Sequence, residues 1–208
     1  MERLSKYAGV TRPGNIKITG STHIPVEAKE VPRFLEEFCD YINDNWHDKN
    51  AIHLSAYSLW KINWIHPFVD GNGRTSRILS YLIICAKLGY RLPGVKTVPD
   101  QIASNKHPYY KALEAADVAF SAGRIDVGEL EKLVDAHLAV QLLDIHKRAA
   151  SGNGDDRAAV AEMPEYGPPK SLINIENNFN LVSHIEKHPV VYTFIGGFVL
   201  LVISALLS

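Results

Sequence analysis

The sequence predicts an all-α domain with one small β-hairpin, followed by a tether and an apolar C-terminal helix. Three observations carry this. Apolar residues recur at three- and four-residue spacing through five stretches between residues 32 and 147. Only residues 16–23 have the look of a strand pair turning on a glycine. The last twenty residues, 189–208, hold no Asp, Glu, Lys or Arg.

Residues 16–23 (IKITGSTH) are β-prone with Gly20 in their middle, the pattern of a short hairpin. Pro32 then stands where a first-turn proline belongs. Phe34, Leu35, Phe38, Cys39, Tyr41 and Ile42 follow it at helical spacing. A second helix is expected over 52–64, with Leu54, Tyr57, Ile62 and Ile65 as core candidates. The third runs over 72–88, with Ile78, Leu79, Leu82, Ile83 and Ala86 as its apolar residues and Gly89 as its stop. Two more helices are expected near 109–120 and 127–147.

The folded domain, 1–148, is expected to end near Arg148, where the composition changes. Residues 149–170 are rich in Ala, Gly, Asp and Pro without a period, as in a flexible tether. Residues 171–188 read either as a short interfacial helix or as more tether, so the linker spans 149–188. The twenty residues 189–208 are apolar on every face, and as a helix they reach about 30 Å, enough to cross a bilayer's hydrocarbon core. A transmembrane helix is expected there.

Residues 1–14 lack the apolar run of a secretory signal, so the folded domain is expected in the cytoplasm with a single-pass C-terminal membrane anchor. Lys187, with Lys170 and Arg157 further back, supplies the positive flank expected on the cytosolic side. The 208 residues are 46% hydrophobic and 22% charged, as in a globular protein. Lys and Arg total 22 against 23 Asp and Glu, so there is no basic footprint for nucleic acid. The two cysteines, Cys39 and Cys85, fall in helical patterns and read as reduced core residues.

Between the second and third helices the chain runs His66-Pro67-Phe68-Val69-Asp70-Gly71-Asn72-Gly73-Arg74-Thr75-Ser76-Arg77. Gly71, Asn72 and Gly73 open a helix, where unpaired N–H groups and the positive dipole end meet and glycine admits an anion to the backbone. Arg74 and Arg77 lie three apart on the first turn, so both guanidinium groups reach further phosphate oxygens. Asp70 is a hard oxygen ligand placed to hold Mg²⁺ across those phosphates. His66 is a base suited to an incoming hydroxyl. A lone loop histidine is more often a hydrogen-bonded structural residue, and a glycine-rich loop alone is weak evidence; the conjunction within twelve residues lifts the segment above both readings.

This segment matches every defined position of HxFx(D/E)GNGRxxR, the signature of the Fic domain family, which it closely resembles. Around it, ITGSTHIP resembles that family's target-binding flap, VPRFLEEFCDYIN the helix after the flap, and HPYYKALEAAD its nucleotide-contacting Tyr-Tyr segment. The resemblance covers residues 16–134 and implies a Fic-type helical bundle with a β-hairpin flap. It also implies Mg²⁺-dependent transfer of AMP from ATP to a Ser, Thr or Tyr hydroxyl of a target protein held along the flap.

Carried over by the resemblance, His66 would deprotonate the hydroxyl and Asp70 would ligate Mg²⁺. Gly71, Asn72 and Gly73 would cradle the α- and β-phosphates, Arg74 would bind near the β-phosphate and Arg77 would steer the γ-phosphate, with Thr75 and Ser76 in the same stretch. Gly20, Ser21, Thr22 and His23 would border the nucleotide. Tyr109 and Tyr110 would border its base, or serve plain amphipathic packing, and Asp117 is a weaker candidate. The intact GNGR favours AMP over phosphate transfer, while UMP transfer shares the motif. Removal of AMP from a modified protein, or a silent nucleotide- or peptide-binding module, are the competing functions.

The inhibitory pattern [ST]xxxE[GN] of that family has no match: Glu176 precedes Asn177, but Leu172 stands four residues earlier. The chain also starts close to the flap, ahead of which the family usually has helices. An inhibitory helix is therefore expected to be missing from the chain or supplied by a separate protein.

Overall fold

The computed structural model describes Tyr7 and residues 9–151. Among these residues the chain forms six α-helices and no strand: α1 Val31–Asp44, α2 Ala51–Ile65, α3 Asn72–Leu88, α4 Val98–Ser104, α5 Lys106–Ser121 and α6 Gly128–Ser151. The five expected helices are present. The tether beyond residue 151 and the apolar segment 189–208 lie outside the described residues. Among the described residues no helix is long and apolar enough to cross a membrane.

Helix α2 is the axis of the fold, touching α1, α3, α5 and α6. Its side chains explain the position: every residue from 54 to 62 is buried, so no face is left for water. Small residues permit this crowding on one side, where Ser55 Oγ and Ser80 Oγ meet at 2.6 Å between α2 and α3. On the other side, Tyr57 stacks on Tyr41 of α1, and Trp60 packs edge-on against Phe120 of α5. The Trp60 indole N–H donates to Asp117 Oδ1 at 2.8 Å, which settles its one polar atom. A chain of polar contacts then clamps α6: Tyr41 Oη meets His53 Nε2 at 2.9 Å, and His53 Nδ1 meets Glu131 Oε1 at 2.6 Å.

Lys61 belongs to the same buried helix and is only 4% exposed. Its ammonium lies 4.3 Å from the Trp64 ring centroid and 4.6 Å from that of Phe120, with Phe34 and Trp60 slightly further out. Cation–π attraction offsets part of the burial cost, yet desolvation still brings the pKa down to about 8. Both cysteines are free, as expected. Burial raises the Cys39 thiol to about 11 and also raises Cys85, so neither is a ready thiolate.

One expectation needs correction. Residues 16–23 form no hairpin: a turn closes with Ser21 N–H donating to Ile18 O at 3.3 Å around Gly20 at φ +76°, but no strand pairing follows it. A lone strand pair has no sheet to join and is marginal in water. Here the neck of the loop is closed by side chains instead, with Asn15 Oδ1 accepting from Ala28 N–H at 2.7 Å and Arg12 donating to Val26 O. On α3, Ile78 and Ala86 face outward. The inward stripe there includes Ser76, Leu79, Ser80, Ile83 and Ile84. Helix α6 runs through Ser151.

Candidate active site

The loop from α2 to α3 starts with an unusual residue. His66 caps α2 in the left-handed conformation (φ 53°, ψ 58°) and is the one non-glycine residue with positive φ among those described. Its N–H completes α2 by donating to Ile62 O at 2.9 Å. The ring Nδ1 lies 3.2 Å from Asn63 O. A carbonyl can only accept, so Nδ1 carries the proton and Nε2 is left with its lone pair. Burial lowers the His66 pKa; the Asn63 contact opposes this, and the charges of His23 and Arg12 add to the lowering. The imidazole is therefore neutral at neutral pH, which is the state of a base.

Beyond His66 the loop is held by Asn72, which is buried. Its Oδ1 accepts from Phe68 N–H and its Nδ2 donates to Phe68 O, both at 2.8 Å. This amide thus braces the loop in both directions. Helix α3 opens behind Gly71 (φ +88°), which has no side chain to cap it. The first-turn N–H groups of Asn72, Gly73 and Arg74 have no intrahelical acceptor and sum with the dipole to make an anion site. Glycine is required at position 71, whose φ costs an L-residue about 1–2 kcal/mol.

These elements border a cleft of about 260 Å³ lined by His66, Val69, Asp70, Gly71, Asn72 and Gly73 from the loop. Arg74 and Arg77 from α3, and Lys106 and Tyr110 from α5, complete it. Three cationic side chains against one carboxylate suit a polyanion. Asp70 is 75% exposed at the side chain, with Arg74 Nη2 donating to its Oδ2 at 2.9 Å and Gly71 N–H to its Oδ1 at 2.6 Å. No cluster of three or more His, Cys, Asp or Glu gathers among the described residues.

The remaining predicted residues stand outside the cleft lining. Tyr109 is 1% exposed against 51% for Tyr110. Its hydroxyl accepts from Asn63 Nδ2 at 2.7 Å; that same amide also donates to Ser76 Oγ at 2.7 Å, tying α2, α3 and α5 beneath the loop. Thr75 continues the first turn, its N–H donating to Gly71 O at 2.9 Å. Gly20, Ser21 and Thr22 are exposed on the 16–23 loop. His23 turns inward: Nδ1 lies 3.2 Å from Asp117 Oδ2 and Nε2 2.9 Å from Trp64 O. Burial disfavours its protonation, but the Asp117 and Trp64 contacts outweigh that and raise its pKa. Asp117, shared between His23 and Trp60, anchors this loop to α5 rather than lining the cleft. Lys106 escaped the sequence reading, although its four-residue spacing from Tyr110 puts both on one face of α5.

Residues 1–84 match the Fic/DOC family, a range that includes the whole loop and most of α3. The match takes in 84 of the chain's 208 residues. A Protein adenylyltransferase Fic from Drosophila mojavensis is 27% identical to this chain over 169 residues, covering 80% of this chain and 28% of that protein. Another of the same name from Nematostella vectensis is 31% identical over 100 residues, 47% of this chain and 21% of the relative. The chain therefore spans less than a third of the length of these curated relatives. The fold of this chain is similar to that of a Fic family protein from Desulfovibrio desulfuricans G20, with a TM-score of 0.56 at 21% identity over 84% of this chain and 56% of the other.

Proposed function

We propose that the domain transfers AMP from ATP to a Ser, Thr or Tyr hydroxyl of a target protein. The observation that carries this is a neutral histidine, His66, lining the same cleft as a helix N-terminus and three cations. The target hydroxyl gives its proton to His66 Nε2 as its oxygen attacks the α-phosphorus. A bond forms from that oxygen to phosphorus, the bond to the β-phosphate's bridging oxygen breaks, and pyrophosphate leaves. The first-turn amides of α3 take the phosphate oxygens, with Arg74, Arg77 and Lys106 around them.

The residues present fit Mg²⁺, which is commonly held by one or two carboxylates together with substrate phosphates and water. Asp70 is the carboxylate that would hold it, since it stands exposed at the cleft rim. Its pairing with Arg74 is a solvent-exposed contact worth at most about 1 kcal/mol, so it yields readily. When bound, the ion would neutralise charge on the phosphates.

The relatives named adenylyltransferases support this reading, as does the complete loop signature. The exposed residues Ser21, Thr22 and Ile24 offer main-chain groups along which a target segment can lie. Regulation by a separate inhibitory protein belongs to the same proposal, motivated by the unmatched inhibitory pattern. Incubating the full chain with ATP labelled at the α-phosphate, Mg²⁺ and a lysate should label protein. Label appearing from the γ-position instead would show phosphate transfer and sink the AMP reading.

We also propose that residues 189–208, free of charged side chains, anchor the protein in a membrane with the catalytic domain on the cytoplasmic side. Full-length protein should resist carbonate washing, and a version ending at Pro169 should not. Release of both by the wash would remove the anchor.

A further inference from the structure

We propose that Arg12 is a positioning residue for the transfer reaction, a buried strut that holds the peptide of His66 in its left-handed turn; this rests on the reading of His66 as the base. Arg12 is 2% exposed. Its Nε donates to His66 O at 2.9 Å, its Nη1 to Gly14 O at 3.0 Å and its Nη2 to Val26 O. Its main-chain N–H donates to Pro67 O at 2.8 Å. All of these acceptors are carbonyls, and among the described residues no carboxylate forms an ion pair with Arg12. A buried guanidinium without an anion is costly, and desolvation lowers its pKa accordingly.

The location of that cost is informative. The guanidinium fork reaches three separate pieces of chain: the start of the 16–23 loop, its end at Val26, and the base of the catalytic loop. Two successive carbonyls of the last piece, on His66 and Pro67, are taken by one residue. His66 sits in a conformation that costs an L-residue about 1–2 kcal/mol and persists only where its surroundings over-determine it. Its N–H is tied to Ile62, its ring to Asn63 and its carbonyl to Arg12. Removing the third tie frees the peptide to relax and swings the imidazole away from Asn63. A lysine cannot substitute, because a compact ammonium does not span three carbonyls as a planar fork does.

The charge has a second consequence. Arg12 and His23, together with burial, oppose protonation of His66, while the Asn63 carbonyl favours it. They reach the imidazole from α2 through Asn63, from the 16–23 loop through His23, and from the segment ahead of that loop through Arg12.

The test uses the full chain with Arg12→Lys and Arg12→Gln. Three readouts are needed: NMR titration and tautomer of the His66 ring, affinity for a non-hydrolysable ATP analogue, and single-turnover AMP transfer. Both variants should bind the analogue nearly as well as the parent yet transfer on the order of 10- to 100-fold more slowly. Their His66 ring should lose the pure Nδ1–H tautomer. Variants that keep the parental tautomer, titration and rate would overturn the proposal. If the parent itself transfers no AMP, the functional reading fails while the tautomer and titration still decide the role of Arg12. A stability cycle covers poor folding. In a His66→Gly background, where the left-handed turn is unstrained, Arg12→Lys should cost less than in the parent. An equal cost in both backgrounds, or a double variant that fails to fold, marks Arg12 as purely structural.

Discussion

Replacing His66 with alanine is expected to slow AMP transfer by about 10²–10⁴-fold, the usual contribution of a positioned base, while ATP affinity changes little. The asymmetry follows from the site. On the proposed function the groups that would meet phosphate are the α3 amides and the cationic side chains of α3 and α5, none of which depends on the imidazole. The pH profile of the parent adds an independent check. Burial lowers the His66 pKa below its ordinary value, and transfer requires the unprotonated ring. The rate should therefore be level through neutrality and fall only as the pH drops through that lowered value, with the acid limb below about 6.5. A midpoint above the ordinary histidine value, or labelling by the alanine variant at the parental rate, would remove His66 from this role.

The largest expected loss of stability comes from Trp60→Ala, at about 3–5 kcal/mol. Trp60 is among the largest fully buried side chains and packs against Tyr57 and Phe120. Its deletion opens a cavity on α2 and leaves Asp117 Oδ1 without its indole donor. That is a large part of the about 5–15 kcal/mol by which domains of this size are stable. Chemical denaturation followed by circular dichroism measures it. A loss under about 1 kcal/mol would mean that the aromatic cluster around α2 does not hold the fold.

The candidate site in the α2–α3 loop was legible because its residues are contiguous: histidine, carboxylate, glycines and arginines sit within one turn and one helix start. The five longer helices were legible from their apolar spacing. Helix α4, seven residues long, is too short to show a period, although Thr97 and Pro99 are ordinary start signals. Arg12 was invisible for a different reason. Its acceptors are main-chain carbonyls, and the one on His66 is 54 residues away; no side-chain pattern records such a contact. Tyr109 and Tyr110 were read as a pair, but consecutive helical residues point about 100° apart. One therefore went to the buried Asn63 contact and the other to the cleft. The supposed hairpin had strand-like residues, and its outcome was decided by the lack of any neighbouring strand.

That loop carries a consequence for how such a domain diversifies. A strand in a sheet must keep its alternation of inward and outward residues, because a single-residue slip turns every side chain over. Residues 16–22 have no such register to keep. Their demands are Gly20 at the turn, with Asn15, Arg12 and His23 fastening the two ends. Between those fastenings, side chains can be exchanged without altering the α2–α3 connection. On the proposed function, nucleotide chemistry and target choice are written on separate stretches of one chain, and the second can be rewritten while the first is left untouched.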